Sequence, residues 1–84
     1  MQLITLRELE EIMRACAGED ESAQPLEQAP DRPFDELGYD SLALLETQSR
    51  ISRDYGVEIP EEDLGDAQTP RELVDLVNRR LQAA

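Results

Sequence analysis

The chain contains no histidine, no lysine and a single cysteine. Without histidine it lacks the side chain that most often serves as a general base and as a zinc ligand. Because Cys16 has no second cysteine to pair with, an intrachain disulfide and a multi-cysteine metal site are both excluded. A catalytic thiol needs a basic partner, and no histidine supplies one, so we interpret Cys16 as a buried, inert side chain in an apolar helical pattern.

Positive charge is also scarce, since the chain has 20 acidic side chains but only 8 arginines, and its formal net charge is −12. Nucleic-acid binding needs cations that displace phosphate counterions, so we expect neither a nucleic-acid partner nor an anionic membrane. No apolar run reaches membrane-spanning length and no charged segment followed by an apolar stretch opens the chain, which predicts a soluble, cytoplasmic protein. We also expect it to be a monomer. The acidity favours a protein partner with a basic docking surface.

The fold predicted from the apolar spacing is all-α, a small four-helix bundle in one domain over residues 1–84. Three helices are expected to be long and one short. The first begins at a capping box formed by Thr5 and Glu8, and Gly18 ends its apolar pattern. No strand-like alternation of any length is present.

A long loop is expected between helices 1 and 2, over residues 19–34. Three prolines fall within it and prevent a long helix, because each removes a backbone donor and restricts the residue before it. We expect Leu26 and Phe34 to hold this loop against the core. Connections of this length are uncommon in compact domains and usually have a function.

The second helix is predicted from Asp40 or Ser41 to about Tyr55. The apolar stripe expected on it consists of Leu44, Gln48, Ile51 and Tyr55, broadened by Leu42 and Leu45. A short helix is predicted over residues 61–64, and the last helix begins at a second capping box over residues 69–72.

Ser41 lies in the most informative segment, where the chain turns at Gly38 into the second helix. Aspartate and serine are both strong N-caps, so one interpretation is that Ser41 only caps the helix. In the other, Asp40 is the cap, and Ser41 takes the first helical position with its hydroxyl toward solvent. A phosphate ester on that hydroxyl would then lie at the positive end of the helix dipole, near free amides.

The run Gly38-Tyr39-Asp40-Ser41-Leu42 resembles the attachment site of acyl carrier proteins. Its wider framework consists of Leu37, Ala43-Leu44-Leu45-Glu46, Tyr55-Gly56-Val57, Ile59-Pro60 and Thr69-Pro70-Arg71-Glu72-Leu73. This framework resembles the carriers of type II aromatic polyketide synthases over essentially the whole chain. The resemblance implies a non-catalytic carrier of malonyl units and growing polyketide chains, held as thioesters on 4′-phosphopantetheine. Coenzyme A would supply this group to Ser41, and Gly38, Asp40 and Leu42 would frame the site.

The resemblance also implies the partners. They are a phosphopantetheinyl transferase, a malonyl transferase, a ketosynthase and chain-length-factor pair, and a ketoreductase or cyclase. Basic patches on these partners would dock against the acidic residues expected near Ser41, which are Asp35, Glu36, Glu46, Glu61, Glu62 and Asp63. Arg50 and Arg53 interrupt the second helix, which is more uniformly acidic in fatty-acid carriers, and this favours a polyketide partner set.

One face of the last helix carries Arg71, Val74, Asn78 and Leu81. A polar asparagine in an apolar stripe costs stability unless it finds a hydrogen-bond partner. We hypothesise that Asn78, together with Arg71, lines a cleft that shelters a polar poly-β-ketone chain. The alternative leaves Arg71 on the surface and bonds Asn78 to the long loop.

Two rival functions remain open from the sequence. The chain could carry fatty-acid, other acyl or aminoacyl groups, or it could be a non-carrier acidic helical interaction module in which Ser41 is only a cap. An enzyme with its own active site fits least, because no convincing nucleophile–base pair and no metal-ligand motif is present.

Overall fold

A computed structural model of the protein describes residues 3–17 and 26–83. In chain order the elements are α1 (Leu6–Ala17), a 3₁₀ turn (Leu26–Gln28), α2 (Ser41–Tyr55), α3 (Glu61–Asp66) and α4 (Pro70–Ala83). No strand occurs among these residues, and the predicted all-α four-helix fold is confirmed. The helix end at Gly18, the first part of the loop and the side chain of Cys16 lie outside the described residues.

Both predicted capping boxes are present. At the start of α1 the hydroxyl of Thr5 accepts a hydrogen bond from the backbone N–H of Glu8 and donates one to its carboxylate, both at 3.2 Å. Thr69 and Glu72 repeat this arrangement before α4, at 3.2 and 3.1 Å. Since the first amides of a helix have no intrahelical partner, each box satisfies a donor locally and so determines where the helix begins.

The buried face of α2 matches the predicted stripe only in part, since Ile51 is buried and Leu44 and Tyr55 pack partly buried against the core. Its buried residues are Ala43, Thr47 and Ile51, spaced four apart, and the hydroxyl of Thr47 donates to the carbonyl of Ala43 at 2.7 Å. The prediction that Leu42 and Leu45 broaden the stripe is wrong, because their side chains are 64% and 39% exposed. Leu42 lies nine residues, or two and a half turns, before Ile51 and so faces the opposite way.

Helix α3 is two residues longer than predicted and continues to Asp66. Its last turn ends where the N–H of Ala67 donates to the carbonyl of Leu64 at 3.1 Å. The side chains of Leu64 and Ala67 are both buried. Burial of these two apolar groups holds the added turn against the core, which the local sequence did not indicate.

The described part of the loop between α1 and α2 is fastened at both ends, as predicted for Leu26 and Phe34. Leu26 is fully buried, and its N–H donates to the carboxylate of Glu10 in α1 at 2.8 Å. Phe34 is also buried, and its N–H donates to the carbonyl of Gln68 at 2.9 Å, beside the start of α4. The loop therefore delivers the chain to α2 from a fixed position. Within the described residues, none of the helices combines the length and apolar character needed to cross a bilayer.

Candidate functional site

Asp40 is the N-cap of α2. Its backbone is extended, and its Oδ1 accepts a hydrogen bond from the N–H of Ala43 at 2.9 Å. The carbonyl of Asp40 accepts the first helical bond, from the N–H of Leu44 at 3.1 Å. Ser41 is therefore the first helical residue and is exposed, which agrees with the second of the two interpretations of this segment.

The turn before Asp40 depends on Gly38, whose φ is 91°. Residues with a Cβ rarely adopt this left-handed backbone conformation, although the space around Gly38 is open. The next residue, Tyr39, is buried, and its ring meets that of Phe34 edge to face, with centroids 6.3 Å apart. The turn is thus anchored in the core on one side of Gly38 and emerges at the surface with Asp40 and Ser41.

The group at this site that can be modified is an exposed hydroxyl at a helix N-terminus. Because Asp40 supplies the cap, the hydroxyl of Ser41 is not used to cap the helix. The first amides of α2 lie at the positive end of its dipole, and the first turn of the helix contains no acidic residue. A phosphodiester on Ser41 is favoured there even though the chain as a whole is acidic.

The acidic residues predicted near the site are mostly at the surface. The exposed ones are Asp35, Glu36, Glu46, Glu61 and Glu62. Asp35 has a local structural role, because its carboxylate accepts a hydrogen bond from the backbone N–H of Glu36 at 2.9 Å. Asp63 is half-buried and forms an ion pair with Arg80, which joins α3 to α4. No group of residues suited to holding a metal ion occurs in the described part of the chain.

An apolar surface lies beside Ser41, and the predicted site included only part of it. Leu42 and Leu45 were both predicted to broaden the apolar stripe, only Leu42 was also predicted to frame the site, and both are exposed. The two are one helical turn apart on the same side of α2. Their spacing relative to Ile51 is the sequence signal that distinguishes this outer side from the buried one.

Arg71 and Asn78 are held by other parts of the chain. The guanidinium of Arg71 binds the carboxylate of Asp31 at 2.7 Å, which raises the pKa of Arg71, and its backbone N–H donates to the carbonyl of Pro30. The amide of Asn78 accepts from the N–H of Ile4 at 2.8 Å and donates to its carbonyl at 3.1 Å. The alternative is therefore right that Arg71 lies at the surface and wrong that Asn78 bonds to the long loop. A contact of either residue with cargo stays a prediction.

Residues 7–77 match the family model described as the phosphopantetheine attachment site. The chain belongs to this family. It is 48% identical over 84 residues to the oxytetracycline polyketide synthase acyl carrier protein of Streptomyces rimosus, covering 100% of this chain and 88% of the relative. It is 49% identical over 84 residues to an anthracycline acyl carrier protein of Streptomyces peucetius, covering 100% and 99%.

The fold of this family member is similar to that of the actinorhodin holo acyl carrier protein from S. coelicolor. The TM-score is 0.85 at 41% identity, covering 99% of this chain and 96% of the other. Like the rest of its family, the chain is a carrier subunit and not a catalyst, and its cofactor is a covalently attached 4′-phosphopantetheine. The exposed, uncommitted hydroxyl of Ser41 at the start of α2 fits such a group.

Proposed function

We propose that Ser41 is the attachment residue and that the chain carries malonyl units and growing polyketide chains in aromatic polyketide biosynthesis. The observation that supports the site is the N-cap at Asp40, which leaves the Ser41 hydroxyl exposed at the positive end of α2. The relative named as the oxytetracycline polyketide synthase acyl carrier protein supports the cargo class. When bound, the terminal thiol of the cofactor holds each acyl group as a thioester.

In the attachment reaction the chain contributes only the nucleophile. A bond forms between Oγ of Ser41 and the phosphorus of coenzyme A next to the pantetheine. The pyrophosphate bond breaks, and adenosine bisphosphate leaves. The serine proton passes to a base of the transferase, because the chain has no histidine or lysine and the carboxylate of the preceding residue, Asp40, is engaged by the N–H of Ala43. We therefore assign activation of the hydroxyl to the partner enzyme.

The partners proposed for this carrier are the transferase, a malonyl transferase, a ketosynthase and chain-length-factor pair, and a ketoreductase or cyclase. The exposed carboxylates of Glu46, Glu61 and Glu62 and the turn at Asp35 and Glu36 are available to basic partner surfaces. Exposed ion pairs are individually weak, so such contacts speed the encounter and allow release more than they add affinity. A carrier that visits several enzymes in turn needs this balance.

The attachment residue is tested by intact-mass measurement after incubation with a promiscuous phosphopantetheinyl transferase and coenzyme A. We expect the wild type to gain one phosphopantetheine and Ser41→Ala to gain none. Ser49→Ala removes another exposed serine of the same helix and serves as the matched control, which should be modified like the wild type.

Modification of Ser41→Ala would contradict the assigned residue. A folded wild-type chain that stays unmodified, with its helical circular dichroism intact, would instead favour the non-carrier interaction module.

The cargo class is tested separately, by adding a malonyl transferase with a ketosynthase and chain-length-factor pair to the modified chain. Formation of an enzyme-free product with the mass of a polyketide supports it, and turnover only with a fatty-acid synthase set contradicts it.

A further inference from the structure

Phe34 uses its ring and both of its backbone polar groups to join two parts of the fold. Its N–H donates to the carbonyl of Gln68 at 2.9 Å, just before α4 begins. Its carbonyl accepts hydrogen bonds from the N–H groups of Leu37 and Tyr39, both at 3.0 Å. Its ring meets the ring of Tyr39 edge to face. Phe34 therefore links the start of α4 to the segment that leads into α2.

That segment, residues 35–40, is called here the attachment turn. Its backbone is bonded internally, since the N–H of Gly38 donates to the carbonyl of Asp35 at 3.3 Å. The side chains of Leu37 and Tyr39 are buried. Because the N–H groups of both residues bond back to Phe34, the attachment turn takes its position in the fold from that residue.

Ser41 is an exposed residue between two buried ones. Tyr39 precedes it by two positions and Ala43 follows it by two, and both are buried. Ala43 belongs to α2, and the cap at Asp40 binds its N–H. Tyr39 lies outside the helix and is held by Phe34. The position of the Ser41 hydroxyl therefore depends on α2 on one side and on the contact between Phe34 and Tyr39 on the other.

The contact between Phe34 and Tyr39 is an aromatic pair in a chain with one phenylalanine, two tyrosines and no tryptophan. The ring centroids are 6.3 Å apart and the planes make an angle of 81°. An edge-to-face pair of this kind favours one relative orientation in addition to the burial of apolar area. An aliphatic side chain of similar size fills part of the space but does not set that orientation.

We propose that Phe34 is a positioning residue for attachment of phosphopantetheine, acting through Tyr39 to hold the attachment turn in the conformation that presents Ser41 to the transferase. This inference rests on the proposed function. Phe34 is buried, so its effect on the reaction is indirect. A transferase that needs the ordered turn binds only the fraction of the carrier in which the turn is formed. Loss of the ring therefore raises KM for the carrier and leaves kcat nearly unchanged.

The test compares Phe34→Leu with Leu81→Val as substrates of a promiscuous phosphopantetheinyl transferase, with the unmodified chain varied and coenzyme A in excess. Leu81→Val trims a buried side chain of α4 about 16 Å along the helix axis from its first residue, Pro70. Urea unfolding measures the global stability of each variant, and circular dichroism checks its fold. Hydrogen exchange of the Tyr39 amide reports opening of the attachment turn, because that N–H is bonded to Phe34.

We expect Phe34→Leu to raise KM for the carrier by about threefold, with kcat within about twofold of wild type. Exchange of the Tyr39 amide should be about tenfold faster, because the variant loses the aromatic pair and some buried apolar area. Leu81→Val should leave KM and this exchange rate within about twofold of wild type. Tyr39→Leu should raise KM as Phe34→Leu does, and the double variant should raise it little further, because the two rings act as a pair.

Equal increases in KM for Phe34→Leu and Leu81→Val would trace the effect to general stability and overturn the proposal. An unchanged KM for folded Phe34→Leu, or fully additive effects in the double variant, would overturn it as well. If Phe34→Leu does not fold, the comparison of Tyr39→Leu with Leu81→Val decides in its place. A folded wild type that is not modified contradicts the proposed function and this inference together, whereas a modified wild type with unaltered variants contradicts this inference alone.

Discussion

The hydroxyl of Tyr55 donates a hydrogen bond of 2.7 Å to Oε2 of Glu8, which ties the last turn of α2 to the first turn of α1. The other carboxylate oxygen of Glu8 accepts a hydrogen bond from the hydroxyl of Thr5 in the capping box. One carboxylate thus completes the start of one helix and holds the end of another. This link lies at the end of α2 farthest from Ser41, so it can be altered without touching the attachment site.

Replacement of Tyr55 by phenylalanine should change how stability depends on pH. Burial, and then the hydrogen bond to Glu8, raise the pKa of Tyr55 to about 12 from its usual 10.0. Because the folded state raises this pKa, the contribution of the neutral phenol is complete below pH 10 and is lost as the pH rises toward 12. Tyr55→Phe should lower the free energy of unfolding at pH 7 by about 1.5 kcal/mol. It should also flatten the fall in stability between pH 10 and 12.

Urea unfolding at pH 7 and at steps up to pH 11.5 measures both effects of Tyr55→Phe. Glu8→Gln is the companion variant, because it keeps an acceptor for the phenol but removes the charge. If wild type and Tyr55→Phe lose stability with the same slope above pH 10, the assigned cause is wrong.

Loss of the cap at Asp40 should destabilise the start of α2. Asp40→Ala removes the acceptor for the N–H of Ala43 and should cost about 1 kcal/mol in the free energy of unfolding. Asp40→Asn retains an oxygen that can cap the helix and should cost less than half as much. Urea unfolding of the unmodified chain provides the comparison, and equal stability of wild type and Asp40→Ala would show that Asp40 is not the functional cap.

Removal of the Asn78 amide should destabilise the protein even when no cargo is present. Asn78→Ala leaves the N–H and carbonyl of Ile4 without their partner, and we expect a loss of about 2 kcal/mol. Gln82→Ala, at an exposed position of the same helix, should be nearly neutral. Unfolding of the cofactor-free chain tests this structural role, and a neutral Asn78→Ala would refute it.

Chemical-shift mapping of forms loaded with acetyl or longer keto-chains tests the cargo contact, which an unperturbed Asn78 would exclude.

Two glycines should respond in opposite directions to alanine. Gly38 has a φ of 91°, so Gly38→Ala should lower the free energy of unfolding by about 1 kcal/mol through backbone strain. Gly65 lies in α3 with an ordinary φ and open space around it, so Gly65→Ala should raise stability by about 0.5 kcal/mol. Thermal unfolding of the two variants gives the signs, and a neutral or stabilising Gly38→Ala would mean that the turn does not need its left-handed conformation.

The sequence by itself determined the features that depend on bonds between residues close in the chain. Both capping boxes join residues three apart, and Gly56, whose φ is 65°, closes α2 as predicted. The segment around Ser41 was recognisable for the same reason, since its motif is contiguous. Such bonds form wherever the local chain permits them, so a local pattern is sufficient to predict them.

The tertiary structure decided the contacts between residues far apart in the chain. Asn78 meets Ile4 across 74 positions and Tyr55 meets Glu8 across 47, and no local pattern specifies either partner. The surface position of Leu42 is a second case, because both Ile51 and Leu42 were predicted to belong to the apolar stripe, and packing buried Ile51 but left Leu42 exposed. Helices of similar amphipathic pattern can rotate about their axes, and the core selects the rotation that buries the most apolar surface at the least cost.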